Sequence, residues 1–221
     1  MLFHLSGDAD GLELTRTGKD PYQEIVNQAL PSTPLRDKAK SFVNPWIYGA
    51  GLNTIVKNSQ GTKSELTLDE AEAIQHHLSV MFCSASTWLS DVRWEVATHA
   101  RIPSVLNLMD NADVPMPAAL APTRSAVFIV QRFGASLFRS ILHLLAERGY
   151  EPAVFVHDSV LVHVPTSRGR EEASDDIEAL ICQALRRKGI EAINVKMGNG
   201  TSWGEAEKAA TPRTLFASNP W

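Results

Sequence analysis

Six segments of the chain carry hydrophobic and polar residues in patterns typical of helices, and two alternate as strands do. The predicted helices cover residues 1–17, 21–29, 35–48, 67–99, 123–149 and 168–188. The predicted strands cover residues 153–164 and 191–197. Long helices with few strands predict an α+β fold, in which the helices pack with a small antiparallel sheet.

Local signals place several boundaries. Asp20 followed by Pro21 is a typical start of a helix, and Thr67 with Glu70 forms a capping-box pattern at another. Gly149 is a natural helix end. We expect a break in the 67–99 helix near residues 84–87. The polar residues 51–66 are expected to form a loop, and the proline-rich residues 101–122 a loop with a short hairpin. The tail from residue 209 is expected to be poorly ordered.

Composition adds few constraints. The 221 residues carry a net charge of −4, so any contact with nucleic acid must come from local basic clusters. Cys83 and Cys182 match no metal-ligand spacing and favour a reduced, intracellular protein. We find no apolar run of the roughly 18–20 residues that span a bilayer, and we therefore expect no membrane partner.

A stripe of polar residues marks the helix predicted over 35–48. Arg36, Lys40, Asn44 and Tyr48 recur every four residues and therefore share one slowly drifting face. Two cations and an aromatic ring could clamp a triphosphate and stack on a base. The alternative is a solvated helix face with a tyrosine in the core. Such spacing more commonly indicates a solvated face than a binding site.

The predicted strands at residues 153–164 flank a polar tip, as in a tight hairpin. His157, Asp158 and Ser159 form this tip. A carboxylate held there suits Mg²⁺, which prefers oxygen ligands. An aspartate in a turn is also common for conformational reasons alone.

Taken together, these stretches resemble the family A DNA polymerases. The family's R-x₃-K-x₇-Y-G fingers pattern and its His-Asp palm hairpin are both present. Flanking matches follow in the family's order over about residues 3–208: His4–Asp8, Gly18–Tyr22, Val130-Gln131 and Val195–Trp203. The resemblance implies fingers at about 20–85, palm at about 86–208 and a C-terminal tail at 209–221.

The resemblance implies that Arg36, Lys40, Asn44 and Tyr48 bind the incoming nucleotide. Lys40, with Arg36 beside it, would contact the phosphates, and Lys40 would be one of the catalytic residues. Tyr48 would stack near the templating base. Asn44 stands where the family usually has an aromatic ring against the nucleotide sugar, so nucleotide selection is expected to differ.

On the DNA side, the resemblance implies contacts from Gln131, Gly49 and His157. Gln131 would lie in the primer–template minor groove, and His157 would touch the primer end as a catalytic residue. Asp158 would be both catalytic and a ligand of the two-metal Mg²⁺ site. The implied partners are primer–template DNA and a deoxynucleoside triphosphate.

In the family, the first catalytic aspartate lies in a D-x-S-x-x-E-L motif, and His4–Asp8 resembles the segment that follows this motif. We expect the motif, and with it this aspartate, to be absent from this chain. A second polypeptide would then supply that carboxylate and the thumb, and the chain alone would be inactive. Asp8 is a substitute candidate, since Asp8–Leu14 fits the motif except for Asp10. Taking it as the catalytic residue would require deleting most of a helix.

Two further departures bear on function. Pro45 lies inside the fingers helix and is expected to cost roughly 3 kcal/mol and to push Asn44 away from helical geometry. Ser159 replaces the family's usual glutamate, as it also does in single-subunit RNA polymerases. The Gly18–Tyr22 and Gly198–Trp203 segments favour a DNA polymerase over an RNA polymerase. The Gly18–Tyr22 segment also resembles phage members of the family, which implies the cytoplasm of a bacterial or phage-infected cell.

The sequence therefore predicts template-directed DNA synthesis by a fragment or subunit of a polymerase. The alternatives are a non-catalytic DNA-binding remnant, a relative of the single-subunit RNA polymerases, and a helical scaffold in which the motifs are coincidental.

Overall fold

The structure, a computed structural model, describes residues 1–99, 101, 102, 114, 115, 121–156 and 159–218. It is rich in helix and contains small two-stranded antiparallel sheets, which confirms the predicted α+β class. The chain divides into two compact units. The first comprises Met1–Leu14 and Lys19–Arg132, and the second comprises Thr15–Gly18 and Phe133–Trp221.

The first unit is built mainly of helices. In chain order these are α1 (Leu2–Ser6), α2 (Ala9–Thr17, whose last residues fall in the second unit), α3 (Pro21–Ala29), α4 (Arg36–Ile47), α5 (Leu52–Ser59), α6 (Leu68–Met81) and α7 (Cys83–His99). A 3₁₀ turn (Pro122–Arg124) leads into α8 (Ser125–Glu147), which crosses from the first unit into the second.

Two predicted helix starts are confirmed. The side chain of Asp20 accepts hydrogen bonds from the amides of Tyr22 and Gln23 at the start of α3. Thr67 and Glu70 form the reciprocal capping box of α6. These side chains satisfy backbone donors that a helix start leaves without internal partners.

A single apolar cluster holds α3 to α7 together. Its fully buried members include Val26, Ala39, Phe42, Ala71 and Ile74. Burial of this kind is the main stabilising contribution to a helical unit, because an isolated helix of 8 to 17 residues is marginal in water.

Three expectations for this unit need correction. Residues 51–66 are not all loop, because Leu52–Ser59 forms α5 and buries Ile55. The helix predicted over 1–17 is two helices, interrupted at Gly7 with φ +64°. The break between α6 and α7 falls at Phe82, two residues before the predicted position.

The segment 101–122 includes one short strand pair. Strand β1 (Arg101–Ile102) pairs antiparallel with β2 (Val114–Pro115). This agrees with the predicted hairpin, and residues 103–113 and 116–120 lie outside the described residues.

The second unit combines helices with two strand pairs. Strand β3 (Glu151–Val156) pairs antiparallel with β4 (Ser159–His163), and the register runs to Val156 opposite Ser159. Strand β5 (Ala192–Met197) pairs with β6 (Thr211–Phe216) over its full length. Helices α9 (Arg170–Arg187) and α10 (Trp203–Ala209) complete the unit.

The predicted tail is wrong for residues 211–216. These residues form β6, with Leu215 buried and Arg213 paired with Glu178 of α9. The partner strand lies about twenty residues earlier, and a local pattern does not reveal such a pairing.

One helix contradicts the expectation that no segment is apolar enough to span a bilayer. The helix Pro122–Glu147 is long and apolar enough to cross a membrane, judged by length and composition alone, and 39% of its most apolar 18-residue stretch is buried inside the protein. The core helix of a soluble protein can be equally long and apolar. The buried side chains Phe133 and Leu137 give this helix a core-facing side.

Candidate functional site

Helix α4 presents the predicted polar stripe on its outer face. Its inner face is anchored by Ala39, Phe42 and Val43, which are all buried. The stripe residues lie on the opposite side, with Asn44 half-buried and the others exposed: Arg36, Lys40, Asn44 and Tyr48. Arg36, Lys40 and Asn44 lie on α4, whereas Tyr48 follows its last residue as the C-cap. The predicted stripe is therefore confirmed for the first three residues, and its role stays a prediction.

The expected effect of Pro45 on Asn44 is wrong. The helix continues through Pro45 to Ile47, and the amide of Tyr48 donates to the carbonyl of Asn44 at 3.2 Å. Asn44 therefore keeps helical hydrogen bonding. The proline removes the backbone bond to Ser41 without ending the helix, because the buried inner face holds both halves in place.

The cations of α4 differ in their pairing. Arg36 pairs with Asp20, and Lys38 pairs with Glu70 of α6. Lys40 is exposed and makes no ion pair within the part of the chain that the structure describes. Lys40 is therefore the cation of this helix that is free to meet an anionic ligand.

The carboxylate of Asp20 both caps α3 and pairs with Arg36. Partial burial alone would raise the pKa of its carboxyl, but the hydrogen bonds from Arg36 and from the amides of Tyr22 and Gln23 outweigh burial and lower that pKa below its usual range. The carboxylate stays ionised at neutral pH and neutralises Arg36. Sequence reasoning recognised Asp20 as a helix cap and missed its pairing with Arg36.

Tyr22 lies between two stripe residues. The Arg36 guanidinium stacks over its ring at 5.1 Å, and its hydroxyl donates to Oδ1 of Asn44 at 3.0 Å. Burial raises the pKa of the Tyr22 phenol, so the hydroxyl keeps its proton at neutral pH. The Gly18–Tyr22 segment resembles the family in sequence, but the hydrogen bond between Tyr22 and Asn44 joins residues 22 positions apart, and no local pattern predicts it.

The C-terminal end of α4 brings two predicted site residues together. The side-chain amide of Gln131 on α8 donates to the Tyr48 hydroxyl at 2.6 Å. Arg93 of α7 donates to the carbonyls of Trp46 and Ile47 at 3.0 and 2.9 Å and so caps the same end. Desolvation lowers the pKa of Arg93 below its usual value.

Gly49 has a structural requirement of its own. Its φ is +85°, a conformation that side chains disfavour. A Cβ at this position would lie 2.7 Å from the carbonyl oxygen of Thr123. The glycine therefore lets α4 end closely against the turn before α8, whether or not DNA passes there.

Asp8 is a structural residue in this fold. Its side chain is buried at 2% exposure, Oδ1 accepts from the amide of Gly11 at 2.9 Å, and Oδ2 accepts from the amide of Ala85 at 3.0 Å. It thus caps the N-terminal ends of α2 and α7 together. Both oxygens are committed to the backbone, which argues against Asp8 as the substitute metal ligand.

The hairpin predicted to carry the metal ligand is present as a pair of strands. Strands β3 and β4 form the predicted hairpin, but His157 and Asp158 lie outside the described part. Within that part, no group of three His, Cys, Asp or Glu side chains could hold a metal ion. The assignment of Asp158 as a metal ligand therefore stays a prediction.

The turn that resembles the family's Gly-x₄-Trp ending is tightly packed. A Cβ on Gly198 would lie 2.0 Å from the carbonyl oxygen of Ala206. Ser202 accepts from the amide of Glu205 and caps α10, which begins at Trp203. The close approach of the residue after β5 to α10 gives Gly198 a packing role.

A charged cluster in the second unit was not predicted. Asp176 of α9 accepts from Arg148 at 3.1 Å and from the Tyr150 hydroxyl at 2.9 Å, and Arg168 stacks on the Tyr150 ring at 4.8 Å. With Glu172, these residues line an open cavity of about 280 Å³. Its two cations and two anions balance, so the cluster mainly ties α9 to the end of α8.

No protein-family model matches the chain, and no curated protein matches it. A solved structure does: the POL domain of Pol1 from M. smegmatis in complex with DNA primer-template and dNTP, at a TM-score of 0.61 and 17% identity. The match covers 85% of this chain, which spans about a third (34%) of that one. The chain therefore has a polymerase-like fold.

Proposed function

We propose that this chain takes part in template-directed DNA synthesis, transferring a nucleotide from a deoxynucleoside triphosphate to the 3′ end of a primer. The supporting observation is the combination of a polymerase-like fold with the outer face of α4. On that face, Lys40 is the cation that makes no ion pair with any described residue, and Tyr48 contacts Gln131. The position of Lys40 relative to Asp158 stays a prediction.

In this proposal, Lys40 binds the phosphates and Arg36 exchanges its surface pair with Asp20 for a phosphate oxygen. Such a pair between half-exposed side chains contributes at most about 1 kcal/mol. Tyr48 and Gln131 form one hydrogen-bonded unit that faces the template and primer. His157 and Asp158 act at the primer end, with Asp158 as a magnesium ligand.

We further propose that another polypeptide supplies a carboxylate and completes the sheet. Asp8 caps two helices and is not available for this role. The β3–β4 pair exposes Val154 and Phe155 at 43% and 53%, and two-stranded hairpins are marginal by themselves. Both features support a partner that packs against this hairpin.

The first test measures triphosphate binding by calorimetry with the whole chain. Lys40→Ala should weaken binding of a deoxynucleoside triphosphate by roughly ten- to hundredfold, because a charge-assisted contact is worth about 1.5–3 kcal/mol. Lys57→Ala, at an exposed lysine of α5, is the matched control and should leave binding unchanged. Equal effects of both substitutions would refute the phosphate role of Lys40.

The second test concerns chemistry. Co-expression with the polypeptide encoded immediately upstream should give magnesium-dependent primer extension that Asp158→Ala abolishes. Extension that survives this substitution would contradict the proposed mechanism. Salt-sensitive DNA binding through Arg36 and Lys40 without extension would instead support the non-catalytic remnant.

A further inference from the structure

Helix α4 is tied by ion pairs to two neighbouring helices. Arg36 pairs with Asp20 at the start of α3. Lys38 pairs with Glu70 in the first turn of α6. The second pair is the more buried, because its side chains are 14% and 19% exposed, against 42% and 38% in the first pair. Burial makes the contact between α4 and α6 less sensitive to screening by salt than the contact to α3.

The Glu70 carboxylate is held by its own helix as well as by Lys38. Oε2 accepts the amide of Thr67 in the capping box of α6, and Oε1 accepts the Lys38 ammonium. Burial alone would raise the pKa of the Glu70 carboxyl, but the hydrogen bonds from Lys38 and from the Thr67 amide outweigh burial and lower that pKa below its usual range. Glu70 is therefore an ionised and fixed acceptor for a cation of α4.

A second polar contact lies on the same side of α4. Ser41 follows Lys38 by about one helical turn, and its hydroxyl lies 2.7 Å from the hydroxyl of Ser64, in the segment before α6. Lys40 is two residues from Lys38, roughly 200° around the helix axis, and so lies on another side of α4. The apolar inner face packs without a preferred direction, whereas these polar contacts require a defined geometry.

We propose that the Lys38–Glu70 pair positions Lys40, by fixing the rotation of α4 about its axis, so that the Lys40 ammonium meets the phosphates of the incoming nucleotide. This inference rests on the proposed function. Lys38 and Glu70 are positioning residues and act through the helix. A rotation of about 20° at a radius of about 5–6 Å would move the ammonium by about 2 Å, which is enough to break a charge-assisted hydrogen bond.

The expected effect is a weaker apparent affinity for dATP when the pair is lost. A pair of intermediate burial shifts an equilibrium by roughly three- to tenfold. The apparent affinity falls in proportion to the share of chains in the binding-competent orientation. Glu70→Gln should therefore weaken dATP binding by roughly three- to tenfold. This sign is diagnostic, because the substitution removes a negative charge, and charge alone would leave triphosphate binding unchanged or tighten it.

The test measures dATP binding by calorimetry on the whole chain. Glu70→Gln breaks the ion pair and keeps an acceptor for the capping box of α6. Lys38→Met removes the cation and keeps most of the side-chain volume. The double variant should weaken binding by less than the product of the two single effects, because both substitutions remove the same contact. Lys38→Arg keeps the charge and should bind dATP about as well as wild type.

Two controls separate positioning from charge and from stability. Asp69→Asn removes the same charge one residue earlier, where the side chain is exposed and makes no ion pair among the residues that the structure describes. It should keep the wild-type affinity. Thr67→Ala removes the hydroxyl that caps α6 and lowers the free energy of unfolding, but it leaves the Lys38–Glu70 pair in place. The folded chain should then bind dATP as wild type does.

The outcomes separate this inference from the function on which it rests. If Lys40-dependent binding is present but Glu70→Gln leaves it unchanged, tightens it, or weakens it no more than Asp69→Asn, the positioning role is refuted and the proposed function stands. If the wild-type chain shows no Lys40-dependent binding of dATP, both are refuted. Weaker binding in Glu70→Gln and Lys38→Met, kept in Lys38→Arg and in both controls, supports the inference.

Discussion

Replacing Asp8 with alanine removes one buried carboxylate from the ends of two helices. Oδ1 accepts the amide of Gly11 in the first turn of α2, and Oδ2 accepts the amide of Ala85 in the first turn of α7. Asp8 and Ala85 are 77 residues apart in sequence. The carboxylate therefore links distant parts of the first unit as well as capping them.

The expected loss in the free energy of unfolding follows from the two hydrogen bonds that Asp8→Ala removes. Loss of a helix cap costs about 0.5–2 kcal/mol, and a buried amide without a partner costs about 1–3 kcal/mol. At 2% exposure, the site admits little water to replace the carboxylate. We therefore expect Asp8→Ala to lower the free energy of unfolding by about 2–4 kcal/mol, a large share of the usual 5–15 kcal/mol.

The assay is urea denaturation followed by both circular dichroism and tryptophan fluorescence. Asp10→Ala is the control, because Asp10 is exposed in the first turn of α2 and should change the stability by less than about 0.5 kcal/mol. A loss below about 0.5 kcal/mol for Asp8→Ala would refute the double-cap interpretation. Unchanged stability combined with lost magnesium-dependent extension would instead identify Asp8 as a metal ligand.

Two other substitutions test packing and charge. Gly49→Ala should destabilise the protein by at least about 1 kcal/mol more than Gly61→Ala, measured by urea denaturation, because both glycines have positive φ but only Gly49 lies against Thr123. For Asp176, burial alone would raise the carboxyl pKa, but Arg148 and other donors lower it below its ordinary 3.8. Its stabilisation is thus present above about pH 4 and lost as the pH falls through the folded-state pKa. The stability difference between wild type and Asp176→Asn should therefore shrink below about pH 4, and a constant difference would contradict this assignment.

Local chemistry made several elements predictable. Asp20 before Pro21 and the Thr67–Glu70 box satisfy helix amides within three residues, so the sequence alone contains both partners. The stripe on α4 was predictable for the same reason, since the spacing of its residues fixes their common face.

Other features depend on partners far along the chain. Helix α5 is mostly polar, and Ile55 becomes fully buried only when the helices around it assemble. Strand β6 contains Pro212 and buries little except Leu215, so its pattern indicated a tail. Arg93 donates to the carbonyls of Trp46 and Ile47, which lie 47 and 46 residues earlier in the sequence, and no local spacing predicts such contacts.

The two oxygens of Asp20 bear on whether Arg36 can serve a ligand. Oδ1 accepts both amides at the start of α3, whereas Oδ2 accepts Arg36. Releasing Arg36 would therefore leave the cap of α3 intact. The side chains of the pair are 42% and 38% exposed, so water can solvate the freed carboxylate at little cost. The pairing of Arg36 in the free chain is thus compatible with its proposed contact to a phosphate, because the fold does not depend on that ion pair.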